Sequence, residues 1–264
     1  MGLTLPAHDV AVWLLLILNI SGKVAALCFV RSAPGLALAL WFVPDGLLAY
    51  FLFYPHAQGL VTVYRRFRTR QREVWLTIDD GPDPEDTPRI LHLLKQHGAR
   101  ATFFVIGRKA AAHPELIRAL LEAGHEVAHH THTHPVGSFW CASRARTARE
   151  LDEGLAVLPS GEQAPTRFRP PVGFKNLWLA SALAERRLTC IGWTARGLER
   201  QGGDADAVAD RVLRRLEPGN ILLLHEGPRL PSAIRVEAIR CTLERLTAMD
   251  YRLVIPTAEQ LSIQ

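Results

Sequence analysis

Aspartates and histidines occur in two groups whose side chains could together bind a metal ion. The first group is the pair Asp79-Asp80. The second, about fifty residues later, contains four histidines within six positions: His129, His130, His132 and His134. Two imidazoles four residues apart, such as His130 and His134, can face the same way on a helical turn, and a distant carboxylate can complete a three-ligand set. Such a set leaves one coordination position open for a reacting molecule.

Apolar runs alternate with helix-forming segments over most of the chain, which predicts an α/β fold. Predicted strands are residues 74–78, 101–105, 126–128, 167–169, 188–193, 221–224 and 251–255. Predicted helices are residues 88–97, 114–123, 175–186, 205–216 and 233–248. This alternation is typical of parallel strands joined by crossover helices. Several polar residues directly follow apolar runs and are expected on the carboxyl-terminal rim of an α/β barrel: Asp79, His130, Arg169, Trp193 and His225.

Five segments resemble, in order and spacing, the motifs of the polysaccharide deacetylases, carbohydrate esterase family 4. They are TIDDGP at 77–82, HTHTH at 130–134, RPPVG at 169–173, Trp193, and LLLH at 222–225. The resemblance covers about residues 72–262 and depends most on the first two motifs. It implies a distorted, incomplete (β/α) barrel and metal-dependent removal of an acyl group from an N-acylated sugar. It also implies roles for five residues: Asp80, His130 and His134 as metal ligands, Asp79 as base and His225 as acid.

The chemistry of amide hydrolysis makes the same demands on these residues. One divalent ion with an open position can activate water and polarise the carbonyl group. Zn²⁺ suits a set of two histidines and one carboxylate best, and Mn²⁺, Fe²⁺, Co²⁺ or Ni²⁺ could also occupy it. Asp79 can accept the proton of the attacking water while Arg169 keeps the carboxylate ionised. His225 can protonate the leaving nitrogen, and Glu199 can orient and charge-tune His225.

Two departures from the family pattern affect the expected substrate contacts. Val172 stands where the family usually has an aromatic residue, and Glu199-Arg200 stands where it usually has Asp-Trp. Loss of two aromatic faces removes surface for sugar stacking, whereas Arg196 and Arg200 add positive charge. These changes reflect either neutral drift on a loop or an anionic group on the substrate. The predicted substrate-binding residues are Trp193, Arg200 and Pro171.

The first 60 residues predict a membrane anchor. Residues 10–30 and 36–54 are mostly apolar, and each run approaches the roughly 20 residues that cross a bilayer. Lys23 and Asp45 interrupt these runs, and each costs roughly 2.5 to 3.5 kcal/mol at the membrane centre. We therefore predict two imperfect transmembrane spans, with a re-entrant or interfacial hairpin and a signal peptide as alternatives. The signal peptide fits poorly because a basic amino-terminal segment and a small-x-small cleavage site are missing from the sequence.

Positive charge is concentrated after the second apolar run. The 264 residues carry a net charge of +5, and five arginines lie between positions 65 and 72. Residues 61–73 are therefore predicted to form a basic juxtamembrane linker, followed by the catalytic domain at 74–264. By the positive-inside rule, this domain lies on the cytoplasmic face of the inner membrane. Zinc-finger, helix-turn-helix and aromatic-basic patterns are missing, so we expect no nucleic acid partner; the sequence identifies no protein partner.

Three functions fit these features. The favoured hypothesis is a membrane-bound deacylase that removes an acetyl or formyl group from a lipid-linked amino sugar, such as a polyprenyl-phosphate sugar, in lipid A or envelope glycan modification. The chain in this respect resembles membrane-bound deacetylases and deformylases of lipid-linked amino sugars. The alternative is a deacetylase of chitin-like or peptidoglycan polymers. A non-catalytic sugar-binding membrane protein is disfavoured by the intact set of catalytic residue types.

Overall fold

The structure is a computed structural model that describes residues 7–199, 204–228 and 231–263. Within these ranges the strands are β1 (Val63–Tyr64), β2 (Arg66–Phe67), β3 (Glu73–Gly81), β4 (Ala101–Val105), β5 (Glu126–His129), β6 (Arg167–Phe168), β7 (Thr189–Ile191), β8 (Ala195–Arg196), β9 (Ile221–His225), β10 (Arg252–Leu253) and β11 (Leu261–Ser262). The helices are α1 (Ala7–Phe29), α2 (Pro34–Phe53), α3 (Asp86–Gln96), α4 (Gly107–Ala112), α5 (Pro114–Glu122), α6 (Arg144–Ala156), α7 (Leu179–Glu185), α8 (Ala205–Leu213) and α9 (Ser232–Ala248).

One curled sheet of parallel strands forms the centre of the domain. Its strand order is β1-β7-β6-β5-β4-β3-β9-β8, and β10 pairs with the start of β3. Neighbouring strands are all parallel, so their carboxyl ends meet at one edge. The distorted, incomplete (β/α) barrel expected from the sequence is confirmed.

Alternate side chains of β3 divide between two cores because successive residues in a strand point to opposite faces. Leu76 and Ile78 pack on one face in a cluster that also contains residues of α3, α8 and α9. Trp75 belongs to a second cluster, with Phe104 and Trp193. Asp79 has the same parity as Trp75, so β3 directs its carboxylate to the face that carries Trp193.

Several helix boundaries differ from the predictions for reasons that lie in side-chain hydrogen bonds. α3 begins at Asp86 rather than Pro88, because the Asp83 carboxylate accepts the backbone N–H groups of Glu85 and Asp86. α7 begins at Leu179 rather than at residue 175, because the Asn176 side chain accepts the N–H of residue 178 and forms a turn there. Helices α4 and α6 were not predicted; Ser143 caps α6.

Helices α1 and α2 pack against each other as an apolar hairpin. Lys23 of α1 and Asp45 of α2, the charges that interrupt the two runs, form an ion pair of 2.6 Å, and Asn19 also donates to Asp45. The helices approach closely at Gly22, where an added Cβ would lie 2.7 Å from the carbonyl oxygen of Leu40. Both helices are long and apolar enough to cross a membrane, with most of their surface exposed.

The predicted linker contains two strands of the folded domain. Strand β1 pairs with β7 in the main sheet, and β2 pairs with β11 in a second, antiparallel sheet. Arg66 forms an ion pair with Glu217, and Arg72 stacks over Tyr251. Residues 68–72 precede β3 directly and therefore lie at its amino-terminal end, roughly 26 Å from Gly81 at 3.3 Å per residue.

Candidate active site

Asp80, His130 and His134 bring three ligand atoms together at the carboxyl-terminal edge of the sheet. Asp80 Oδ1 lies 3.1 Å from His134 Nε2 and 3.6 Å from His130 Nε2, and all three atoms lie within 4.8 Å of one another. Ligand atoms about 2.1 Å from a tetrahedral Zn²⁺ are about 3.4 Å apart. The three side chains could therefore hold one divalent ion with little adjustment.

The orientation of His130 is set by the backbone. His130 Nδ1 donates a hydrogen bond of 2.7 Å to the carbonyl oxygen of Arg169, which leaves the lone pair of Nε2 directed at the site. A hydrogen bond of this kind fixes the tautomer that binds a metal. Arg169, directly after β6, thus orients His130 through its backbone carbonyl oxygen.

The two histidines do not lie on a helical turn, contrary to the prediction. They lie in a loop after β5 in which Thr131 and His134 both have positive φ angles, 62° and 55°. Glu150 of α6 holds this loop: its carboxylate accepts the backbone N–H groups of His132 and Thr133 at 3.1 and 2.8 Å. The spacing of four residues therefore brings the two imidazoles together, but in a loop and not on a helical turn.

Asp79 is buried beside the ligands and paired with Arg169. Arg169 Nη1 donates to Asp79 Oδ1 at 2.6 Å, and Asp79 Oδ2 lies 3.9 Å from His130 Nε2. The fully buried guanidinium also donates to Thr77 Oγ1 and to the carbonyl oxygens of Ile191 and Gly192. Burial lowers the pKa of Arg169, against the opposing attraction of Asp79. Four hydrogen bonds hold the guanidinium in place, and the one to Oδ1 holds Asp79 in one orientation.

His225 ends β9 next to Asp79 on β3, its register partner. Its Nδ1 lies 3.1 and 3.2 Å from the two carboxylate oxygens of the buried Glu199. Burial by itself lowers the pKa of His225, but the hydrogen bond and charge of Glu199, with Asp79 and Asp80, outweigh it and raise the pKa to about 9. Burial raises the pKa of Glu199, and its hydrogen bond with His225 more than compensates, so that pKa is lowered. The raised pKa of His225 favours the protonated imidazole at neutral pH.

One cavity of about 320 Å³ is lined by the residues described above that carry titratable groups: Asp79, Asp80, His130, His134, Glu199 and His225. Arg169 lies behind them and does not line the cavity. Its wall opposite the aspartates is formed by Trp193, Arg196 and Val172. The Arg196 guanidinium carbon lies 5.9 Å from the centre of the Trp193 ring. Val172 has a φ angle of 51° and is 40% exposed at the mouth. The cavity is therefore lined both by the three converging ligand residues and by the Trp193 ring.

Of the three predicted substrate-binding residues, one lines the cavity, one is buried behind it and one lies outside the described residues. Trp193 lines the cavity as expected. Pro171 is buried and its neighbours Pro170 and Val172 line the cavity instead, because the chain turns in a single 3₁₀ turn at that point. Arg200 lies outside the described residues, so the structure gives no position for its side chain.

Glu226 is a cavity residue that the sequence reasoning missed. It follows His225 directly, and its Oε1 lies 1.8 Å from the position that a Cβ on Gly81 would occupy, so only glycine fits there. Burial raises the pKa of Glu226 to about 8, against the hydrogen bond that Thr87 donates to it. An acidic residue two positions after the apolar run 221–224, next to His225, was the signal that could have identified it.

Comparison with known proteins agrees with this site. The polysaccharide deacetylase family model matches residues 67–191. The chain is 38% identical over 163 residues to a chitooligosaccharide deacetylase of Sinorhizobium fredii, covering 61% of this chain and 75% of the relative. It is 31% identical over 186 residues to a peptidoglycan-N-acetylglucosamine deacetylase of Bacillus cereus, covering 70% and 86%.

The fold gives the same result. A solved structure of a peptidoglycan N-acetylglucosamine deacetylase superposes with a TM-score of 0.67 at 28% identity, covering 72% of this chain and 88% of that chain. Members of this family are metal-dependent, and the Asp-His-His set described above is present in this chain. The chain belongs to the polysaccharide deacetylase family, carbohydrate esterase family 4, and is a carbohydrate N-deacetylase.

Proposed function

We propose that this chain removes the acetyl group from N-acetylglucosamine units of a glycan of the chitooligosaccharide or peptidoglycan type. The observation that carries the proposal is the placement of three functional groups around one cavity. The ligand set of Asp80, His130 and His134 lines this cavity together with a buried carboxylate, Asp79, and an imidazole of raised pKa, His225. The substrate class comes from the relatives, whose names refer to chitooligosaccharide and peptidoglycan.

Asp80, His130 and His134 would hold the metal ion, for which Zn²⁺ is our choice because the set is compact and offers two imidazoles. A bound divalent ion supplies an activated water and polarises the amide carbonyl. The chain contributes the orientation of the ligands, through the bond from His130 Nδ1 to the Arg169 carbonyl oxygen. It also keeps bulk water away from the buried side of the set, where Asp79 is only 3% exposed.

Asp79 is the proposed base. Its Oδ2 lies on the side of His130 Nε2, whereas its Oδ1 is occupied by Arg169. Arg169 prevents the carboxylate from rotating, so Oδ2 stays available for a proton from the attacking water. Asp80 cannot replace it as base if its own carboxylate is bound to the metal.

His225 is the proposed acid. Its Nδ1 is held by Glu199, which leaves Nε2 as the nitrogen that can reach a substrate in the cavity. Protonation of the departing nitrogen is needed because an amine anion is a very poor leaving group. Trp193 would provide one face for the sugar ring, with Arg196 close to it.

The relatives support the glycan substrate better than the polyprenyl-phosphate sugar that we favoured from the sequence. Positive charge also gives less support to a lipid phosphate near the site, because Arg68, Arg70 and Arg72 lie at the end of β3 opposite Asp79. The hairpin of α1 and α2 remains the reason to propose a membrane-anchored enzyme: its helices are long and apolar, and the Lys23–Asp45 pair neutralises their central charges.

The test uses the full-length protein purified in detergent and loaded with Zn²⁺. Chitotetraose, muropeptides and a polyprenyl-phosphate N-acetylglucosamine would be incubated separately, and acetyl loss measured by mass spectrometry. We expect acetyl loss from the first two substrates, abolished in Asp79→Asn and retained in the matched surface variant Asp210→Asn. A protein with stoichiometric metal that deacetylates none of the three would refute the proposal, and activity on the lipid alone would restore the earlier hypothesis.

A further inference from the structure

The chain segment that follows α2 packs directly against the wall of the active-site cavity. The ring of Pro55 occupies the space beside Gly173, where an added Cβ would lie 2.6 Å from Pro55 Cβ and 2.8 Å from the Trp193 ring. Gly173 has a φ angle of 77°, which favours glycine independently. His56 contacts Trp193 edge to face, with ring centres 5.3 Å apart. The proposed anchor therefore ends beside the cavity.

Lys175 fastens this segment to the domain. Its buried Nζ donates to the carbonyl oxygens of Tyr54 and Pro55 at 2.7 and 3.1 Å, and its backbone N–H donates to the carbonyl oxygen of Leu52. The last carbonyl groups of a helix have no partner inside the helix, and a cation placed there satisfies them and complements the helix dipole. Lys175 lies two residues after Gly173, so the same loop holds the end of α2 and lines the cavity.

Exposed apolar side chains lie at the end of α2, on the loop before α6 and at the wall of the cavity. The Phe53 ring contacts Trp140 and Phe174, both at 5.2 Å between ring centres. We define the apolar lip as four side chains that are 37% to 47% exposed: Phe53, Tyr54, Trp140 and Val172. Val172 also lines the cavity. Tryptophan and tyrosine are enriched where proteins meet the lipid–water interface.

The way the hairpin docks places this lip near a bilayer surface. Val12 of α1 and Leu52 of α2 are buried in the same cluster as Leu179, so the ends of both helices belong to the domain core. Beyond these docked ends, residues 17–29 and 34–47 project as two arms of about 13 residues, or about 20 Å. The hydrocarbon core is about 30 Å thick. The arms are shorter than the hydrocarbon core is thick. The whole length of both arms can therefore enter the bilayer only if the apolar lip lies at the membrane surface.

We propose that the apolar lip lies in the lipid–water interface of the bilayer that the hairpin enters, so that the cavity takes its acetylated amino sugar from the membrane surface. The occupant of the lip is the boundary layer of headgroups and acyl chains. This inference deepens the proposed function and rests on it for the substrate, but the position of the lip is a separate physical claim. In this arrangement, the docking of α2 beside Trp193 places the mouth of the cavity at the membrane surface.

The position of the lip can be measured without activity. In a background with Cys28 and Cys141 replaced by serine, Val172→Cys and Met249→Cys would each carry an environment-sensitive fluorophore in phosphatidylcholine–phosphatidylglycerol nanodiscs. Val172 and Met249 are both 40% exposed, but Met249 lies near Arg72, at the opposite end of the domain. We expect lipids with a shallow spin label to quench the probe at position 172 and not the probe at position 249. Equal quenching, or none at either position, would overturn the proposal.

A kinetic experiment tests the consequence for the substrate. The same acetylated chitooligosaccharide would be offered in solution and coupled to diacylglycerol in vesicles. Phe53→Ser with Trp140→Ser should lower the rate on the vesicle-borne form about tenfold and the rate in solution by less than about twofold, because only the former depends on local concentration at the surface. Met249→Ser is the control and should change neither rate. Equal losses on both forms would contradict the lip, whereas a parent protein inactive on both would contradict the proposed function.

Discussion

Glu199 contacts both the ring and the backbone of His225. Its carboxylate oxygens lie 3.1 and 3.2 Å from the imidazole Nδ1, and Oε1 also accepts the backbone N–H of His225. One buried carboxylate therefore fixes both the position of the strand end and the charge of the ring. Because Nδ1 is engaged, the proton available to a substrate is on Nε2. This geometry fits the proposed role of His225 as the acid.

The first prediction concerns pH. The acid form of His225 is lost as pH rises through its raised pKa of about 9, so the alkaline limb of kcat/KM should fall well above the ordinary histidine value. Glu199→Gln removes the charge that raises the pKa while burial continues to lower it. The alkaline limb should then move to lower pH, with the acidic limb unchanged. An alkaline limb that stays in place would show that another group supplies the proton.

The second prediction concerns the metal. Because Asp80, His130 and His134 present three converging ligand atoms, the purified protein should bind one divalent ion per chain, measured by elemental analysis. His130→Ala with His134→Ala should lose the ion and the activity together. Asp79→Asn should keep the ion and lose about 10² to 10⁴ in kcat. Full metal content in the double histidine variant would rule out this ligand set.

The third prediction concerns stability. Arg169→Met leaves the buried Asp79 carboxylate without its partner and should lower the free energy of unfolding by about 3 to 5 kcal/mol. Arg245→Met removes an ion pair with the exposed Asp206 and should cost less than about 1 kcal/mol. Denaturant unfolding in detergent would measure both. Similar costs for the two variants would mean that the Asp79–Arg169 pair does not brace the site.

The fourth prediction concerns the hairpin. Lys23→Leu leaves Asp45 with the hydrogen bond from Asn19 but without its ion-pair partner. Membrane insertion should therefore be reduced, by up to the roughly 2.5 to 3.5 kcal/mol of an isolated charge. The double variant Lys23→Leu, Asp45→Leu removes both charges and should insert at least as well as the parent. The amount of protein in carbonate-washed membranes reports insertion. Additive losses in the double variant would contradict the pairing of α1 with α2.

The fifth prediction concerns topology. The arginines between positions 65 and 72 follow the second apolar run closely in sequence, so we expect the domain in the cytoplasm. A carboxyl-terminal alkaline phosphatase fusion should then be inactive, and a green fluorescent protein fusion bright. The reverse result would place the active site outside the cytoplasm and favour mature peptidoglycan as the substrate.

Much of the active site follows from the order of residues alone. An apolar run in a parallel α/β fold ends at the functional edge, so Asp79, Asp80 and His225 could be assigned there from the sequence. The spacing of His130 and His134 predicted that their imidazoles converge, and they do, although in a loop and not in a helical turn. Local patterns suffice for these residues because each strand delivers its own last side chain.

Other features exist only in the folded chain because they join segments far apart in sequence. Glu150 holds the histidine loop from α6, and Glu226 fills the space that Gly81 leaves open. Pro55 and His56 looked like the end of an anchor, yet they support the wall at Trp193. Residues 65–72 looked like one basic strip, but Arg68, Arg70 and Arg72 lie at the amino-terminal end of β3, at the opposite end of that strand from Asp79. Sequence determined which residues do chemistry, and packing decided what surrounds them and where the cavity opens.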